Sequence, residues 1–202
     1  GVVLLSGKDS GFIAGADVIE FDDMSDPGVL KAALDRTHAL FDRIEAMKVP
    51  VVAGIHGFCL GGGLELALGC DVLIADRSAR FADTHGKWGF VGTWGISQRL
   101  PRRIGAMNAK TMMFTSRIVE ADEAKDMGLV WQVVDEGGLD NAVNAFVDQV
   151  LANSAHTNRS VKRLLCDTEG MPLAEALAHE AGNYAGMAPD FRERLAVFAK
   201  RD

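Results

Sequence analysis

The stretch that decides the fold runs Val51-Val-Ala-Gly-Ile55, His56-Gly-Phe-Cys-Leu-Gly-Gly-Gly63, Leu64-Glu-Leu-Ala-Leu-Gly-Cys70, Asp71-Val-Leu-Ile-Ala75. Its first five residues are apolar or small without alternation, the pattern of a strand buried on both faces. A glycine-rich turn over 56–63 leads into a short apolar segment, 64–70, too brief and too buried to be an amphipathic surface helix. A second apolar run, 71–75, follows at once. Strand, turn, short helix and strand in that order predict a parallel pair.

Working outward, residues 2–5 form another apolar run and 80–82 a further short strand. Between them, 27–47 carries helical spacing in Leu30, Ala33, Leu34, Leu40, Phe41 and Ile44. Lys48-Val49-Pro50 ends that helix, because proline cannot extend it. This alternation predicts an α/β layer with parallel strands. The second half is mostly helical: 96–104, 106–114, 120–127, then a strand at 129–134, then helices over 139–151, 158–165, 172–184 and 191–200. A hinge at 154–157 divides a core, 1–153, from a helical region, 154–202. A strand that begins at the first residues leads us to expect sequence upstream of Gly1.

Composition bounds the function. The chain has 202 residues, 48% hydrophobic and 24% charged, with a net charge of −7. No basic face for nucleic acid is visible. An anionic ligand would need a local basic cluster, and Arg99, Arg102, Arg103 and Lys110 are either that or a solvated helix face. Three cysteines, Cys59, Cys70 and Cys166, without a Cys-x-x-Cys pair, suggest neither a disulfide framework nor a zinc site. Cys59 and Cys70, among small apolar neighbours, read as buried thiols. His38, His56, His156 and His179 lack metal spacing, so no metal is expected. No apolar run approaches the ~18 residues of a membrane span, and no secretory leader is visible, so a cytoplasmic location is expected.

Two glycine loops each follow a strand: Phe12-Ile-Ala-Gly-Ala-Asp17 and Gly57 to Gly63. Three successive glycines before a helix admit close approach and unusual dihedrals. The unpaired N–H groups of a helix start suit an anion. The other reading is a tight turn for helix–strand packing. A dinucleotide site is disfavoured, since Gly-x-Gly-x-x-Gly is absent, and a P-loop lacks its Gly-Lys-Ser/Thr. A serine elbow lacks its serine. Glu65 is either a catalytic carboxylate or a first-turn acid favoured by the helix dipole.

Phe12-x-Ala-Gly-Ala-Asp17 with Glu20, followed by Gly57-x-x-x-Gly-Gly-Gly-x-Glu65-Leu-Ala-x-x-Cys70-Asp71-x-x-x-Ala75, resembles the enoyl-CoA hydratase/isomerase (crotonase) superfamily. The order and separation of the loops are similar too, as are Phe81, Gly89, Gly95, Gln98-Arg-Leu100, Gly105, Ala121 and 124–130. The resemblance implies a crotonase-like ββα-layered core, whose first strands precede this chain, and a helical C-terminal trimerisation region. It implies an oxyanion hole from the backbone N–H groups of Ala16 and Gly62, and catalysis by Glu65. It implies substrate contacts at Ala14, Asp17, Gly61 and Trp88, with Phe198 and Lys200 meeting CoA, in a homotrimer or hexamer. The substrate would be an acyl-CoA thioester, CoA arriving with it, so no separate cofactor is expected.

The pattern breaks at one place. The hydratases of this family place a second glutamate twenty residues after the first. Here that position is His85, in Phe81-Ala-Asp-Thr-His85. His85 either replaces the missing acid, since imidazole exchanges protons near neutral pH, or is a structural histidine held by Asp83 or the backbone. Trp88, Phe90 and Trp94 either line an acyl pocket or belong to the core. The expected reaction is addition of water to a 2-enoyl-CoA. The alternatives are an isomerase or decarboxylase on the same oxyanion hole, or a non-catalytic acyl-CoA-binding protein.

Overall fold

The computed structural model describes residues 1–9, 11–15, 17 and 26–199. Four parallel strands form the main sheet in the order β1-β2-β4-β7: β1 (Val3–Ser6), β2 (Val51–Ile55), β4 (Val72–Asp76) and β7 (Gln132–Val134). A second sheet, β3-β5-β6, joins β3 (Phe58–Leu60), β5 (Arg80–Ala82) and β6 (Val119–Glu120). β3 runs parallel to β5, and β6 antiparallel to it. The α/β class and the two apolar runs of the quoted stretch stand as expected. Every residue of β2 is buried, which is why it carries no alternation.

Two strands escaped the sequence. The segment read as plain turn contains β3, and β6 is two residues long. Phe58-Cys-Leu60 is a short β-capable triplet hidden by its flanking glycines. β3 is the rail on which the first glycine loop lies. Phe12 N–H donates to the His56 carbonyl (2.9 Å), Ile13 N–H to the Phe58 carbonyl (2.9 Å), and Leu60 N–H to the Ile13 carbonyl (3.0 Å).

Nine helices are found among the described residues: α1 (Pro27–Glu45), α2 (Gly62–Leu68), α3 (Ile96–Ile104), α4 (Ala106–Thr115), α5 (Ala121–Asp126), α6 (Leu139–Ala152), α7 (Ala155–Asp167), α8 (Leu173–Gly182) and α9 (Phe191–Phe198). α1 opens with Asp26 accepting from Gly28 N–H (2.7 Å) and Pro27 in the first turn, where a missing N–H costs nothing. Between the sheets and α2 to α5 sits one apolar core, with Ile55, Leu64, Leu73, Phe81, Ile96, Leu100 and Met112 almost fully buried. Cys59 and Cys70 belong to it, as their surroundings in sequence implied, and burial pushes the Cys70 thiol up to about 12.

The hinge expected at 154–157 is a helix start: Ser154 caps α7. α7 is tied to the core by Lys162, 7% exposed, whose Nζ donates to Asp71 Oδ2 (2.6 Å) and to the Val49 carbonyl (3.1 Å). Asp71 Oδ2 also accepts Val51 N–H (2.6 Å), so one carboxylate joins α7 to the first residue of β2. Removing one partner of a buried pair costs about 3–5 kcal/mol, less where water reaches the other partner. Asp71 has a partly exposed side chain. We expect Lys162→Met to lower unfolding stability by about 2 kcal/mol, read from urea denaturation.

Candidate active site

α2 begins where β3 ends, and the three glycines do three different things. Gly61 adopts φ +49°, a left-handed turn that an L side chain would strain, and its N–H is held by the Ala82 carbonyl (3.0 Å). Gly62 is the first helical residue, so its N–H has no intrahelical acceptor. Gly63 packs against the first loop: a Cβ there would lie 2.3 Å from the Ile13 carbonyl oxygen. Close packing therefore rests on Gly63, whereas Gly62 leaves its amide without an acceptor inside the helix.

Glu65 sits in the first turn of α2 and is 1% exposed. Its Oε1 accepts Trp94 N–H (2.9 Å) and Ile96 N–H (3.3 Å). Its Oε2 is buried and has no hydrogen-bond partner among the described residues. Such a group is costly to bury, by about 1–3 kcal/mol. Oε2 lies 3.6 Å from His85 Nε2.

His85 opens a short 3₁₀ turn, His85–Trp88. Its main-chain N–H donates to Asp83 Oδ1 (3.1 Å), and its ring Nδ1 makes a short hydrogen bond with the same oxygen. A carboxylate can only accept, so the proton of that bond belongs to Nδ1. Asp83 is 3% exposed. The two readings of His85 are thus compatible: it is held by Asp83, and it faces Glu65. The hydrogen bond it donates to Asp83 raises the imidazole above its ordinary 6.5, helped by the nearby Glu65 charge. Burial raises the Glu65 carboxyl above its ordinary 4.5, opposed by His85 and by the two amides.

Glu65 and His85 line one cleft of about 540 Å³, part of it open to solvent. Ala14, Gly15, Gly61 and Gly62 contribute backbone, and Leu34, Trp88, Phe90 and Trp94 contribute the large apolar surface. Trp88 is exposed, whereas Trp94 packs edge-on against Phe41 with ring centroids 5.4 Å apart. So Trp94 serves the core and the cleft together.

Of the predicted site residues, Glu65, His85, Gly61, Gly62, Ala14 and Trp88 are brought together in this cleft. Asp17 is exposed and is not among the residues lining it. Phe198 is exposed in a different groove, beside Asp190, Arg194 and Val197. Ala16, Glu20 and Lys200 lie outside the described residues.

Of the four basic residues grouped in the sequence, Arg102 and Lys110 are exposed, whereas Arg99 and Arg103 are half-buried. Arg99 donates to Glu45 Oε2 (2.6 Å) and to the Trp94 carbonyl (2.7 Å), and Arg103 donates to the Cys70 carbonyl (2.9 Å). Both are spent on the fold. The sequence also missed that the Trp94 and Ile96 amides hold Glu65. No side-chain signal could reveal a main-chain donor 29 or 31 residues away. Among the described residues, no group of three or more His, Cys, Asp or Glu side chains could hold a metal, and no helix is long and apolar enough to cross a membrane.

Comparison with known proteins shows the family and the fold. The family model described as Enoyl-CoA hydratase/isomerase matches residues 1–201. A crystal structure of enoyl-CoA hydratase from Bacillus anthracis superposes with a TM-score of 0.94 at 32% identity, covering 99% of this chain and 78% of that one. Short-chain-enoyl-CoA hydratase of Clostridium acetobutylicum is 33% identical over 99% of this chain and 77% of its own length. The fatty acid oxidation complex subunit alpha of a Shewanella species is 42% identical over 67% of this chain, a match that spans only 20% of that longer protein.

Proposed function

Because the chain belongs to the enoyl-CoA hydratase/isomerase family, we propose that it adds water across the double bond of a 2-enoyl-CoA thioester, with Glu65 as base and His85 as acid. The observation that carries this reading is the unpartnered Glu65 Oε2, 3.6 Å from His85 Nε2 inside the cleft. One water oxygen can hydrogen-bond to both atoms at that separation.

Glu65 takes a proton from the water as its oxygen bonds to the β-carbon. The electron pair of the double bond moves toward the thioester, and the carbonyl oxygen becomes an enolate oxygen. The Gly62 N–H, with that of Ala16 as the family resemblance implies, stabilises this charge, each donor being worth roughly 10²–10³ in rate. His85 Nε2–H then protonates the α-carbon, giving the 3-hydroxyacyl thioester. The proton left on Glu65 passes to His85 Nε2, and the pair is reset.

CoA enters as part of the substrate. The exposed Val161, Leu165, Leu173, Leu177 and Leu195 of the tail helices support the trimeric or hexameric assembly that the resemblance implies. Phe198 is proposed to meet CoA from a neighbouring subunit.

The working state carries one proton on the pair: Glu65 ionised and His85 protonated. Activity therefore rises as Glu65 loses its proton and falls as His85 loses its own. Glu65 is raised by burial, so the acid limb lies above the ordinary carboxylate range. His85 is raised by Asp83, so the alkaline limb lies above 6.5. Both limbs belong to the coupled pair. The test is conversion of crotonyl-CoA to 3-hydroxybutyryl-CoA across pH, with a 3-enoyl-CoA in parallel. A bell of this form is expected. Shift of the 3-enoyl double bond without hydration would favour an isomerase, and CoA binding without turnover would sink the catalytic reading.

A further inference from the structure

We infer that Asp83 is a positioning residue that makes His85 the proton donor to the substrate, by holding Nδ1–H so that Nε2–H faces Glu65 across the cleft. The inference rests on the hydratase reading above and extends it to a residue that touches no substrate.

A single buried oxygen, Asp83 Oδ1, accepts both the His85 main-chain N–H and the ring Nδ1. The first bond needs only a polar turn residue, since an asparagine side chain closes such a turn equally well. The second is different. Imidazole has two nitrogens, and a free ring offers its proton on either. With Nδ1–H committed to a carboxylate, the proton that departs is always the one on Nε2, and the neutral ring left behind has its lone pair there. That lone pair is 3.6 Å from Glu65 Oε2, where the water's proton has gone. The donor and the acceptor of the return step are thereby the same nitrogen, and each cycle balances at one proton delivered and one recovered.

The titratable surroundings of the ring are few. Glu65 from α2 and Asp83 act on it directly. The loop 89–95, which approaches the ring at Gly92, carries no titratable side chain. Lys87 on the same turn and Lys110 on α4, which packs against that turn, are exposed. Nothing else described competes with Asp83 for control of the imidazole.

Asp83→Asn keeps the size and the main-chain bond while removing the charge. Two readouts apply to the same chain: kcat and KM for crotonyl-CoA across pH, and titration of the His85 ring by nitrogen-resolved NMR, which needs no turnover. We expect kcat to fall roughly 10²-fold with KM little changed. We expect the alkaline limb and the NMR midpoint to move down together by about one pH unit. In the wild type, the Nδ1 proton should be visible and protected from exchange. An Asn variant with unaltered kcat, alkaline limb and midpoint, while Glu65→Gln is inactive, would overturn the role of Asp83 and leave the hydratase reading intact. A wild-type ring without a protected Nδ1 proton would overturn it even if the variant failed to fold. Wild-type protein with the protected proton but no hydration would sink the parent reading, and the donor role with it.

Discussion

Glu65→Gln is expected to lower kcat for enoyl-CoA hydration by about 10³-fold, some 4 kcal/mol of transition-state stabilisation, with KM nearly unchanged. The substitution is close to isosteric. The amide oxygen of glutamine can still accept the Trp94 and Ile96 N–H groups that hold Oε1. The other end is where it fails. Oε2, the atom without a partner, becomes an NH₂ group, which cannot take a proton from water. The loss should therefore fall on the chemical step and leave thioester binding in place.

The same variant carries a stability signature of known sign. Burial raises the folded-state pKa of Glu65. The folded protein thus holds the Glu65 proton more tightly than the unfolded chain does. That contribution is present below the ordinary carboxylate value and is lost as pH rises through the raised value. Above it, the ionised buried carboxylate works against the fold, offset by His85. Glutamine removes this cost, so the variant should melt no lower than wild type at mildly alkaline pH. A sharply lower melting temperature together with the kcat loss would mean that Glu65 is structural. A kcat within about threefold of wild type would remove it as the base.

The fold was legible where residues act through their own side chains or dihedrals. Val51 to Ile55 reads as a buried strand because every residue is apolar or small, and it is one. Pro50 and Gly61 mark breaks because their backbone preferences are their own. Glu65 was singled out by the family motif, since a first-turn acid could equally have served the helix dipole. The rest depended on what a residue meets. β3 hides in a glycine-rich segment because three residues carry no period, and only pairing with β5 and Ile13 makes them a strand. Asp83 and His85 stood two apart in sequence, but a strand reading would merely place them on one face. The turn that lets one carboxylate oxygen reach both the main-chain N–H and the ring Nδ1 of His85 is a tertiary product. Arg99 and Arg103 looked like a surface cluster because charge in sequence does not say whether carbonyls and carboxylates wait inside.

Gly63→Ala should show how tightly the two glycine loops are coupled. The added methyl would lie 2.3 Å from the Ile13 carbonyl oxygen and 2.8 Å from the Ile13 Cβ. Neither can easily move. The Ile13 carbonyl accepts Leu60 N–H and the Ile13 N–H donates to Phe58, both on β3. Gly63 is fixed in turn by a helix whose Leu64, Ala67 and Leu68 are buried in the core. Overpacking of this kind costs about 1–3 kcal/mol, and with backbone on both sides we expect about 2 kcal/mol. The loop over 12–15 must separate from the start of α2 by a fraction of an ångström or more. Gly62 N–H belongs to the second wall and Ala14 to the first, so any oxyanion hole built between them widens. Misplacement near 1 Å can cost about 10²-fold in rate, and kcat/KM should fall by roughly that factor even at temperatures where the variant stays folded. Urea denaturation and steady-state kinetics on the same preparation separate the two effects. Loss of stability with full kcat/KM would mean that the spacing between these loops does not matter to the reaction, and that Gly62 is not a donor to the substrate.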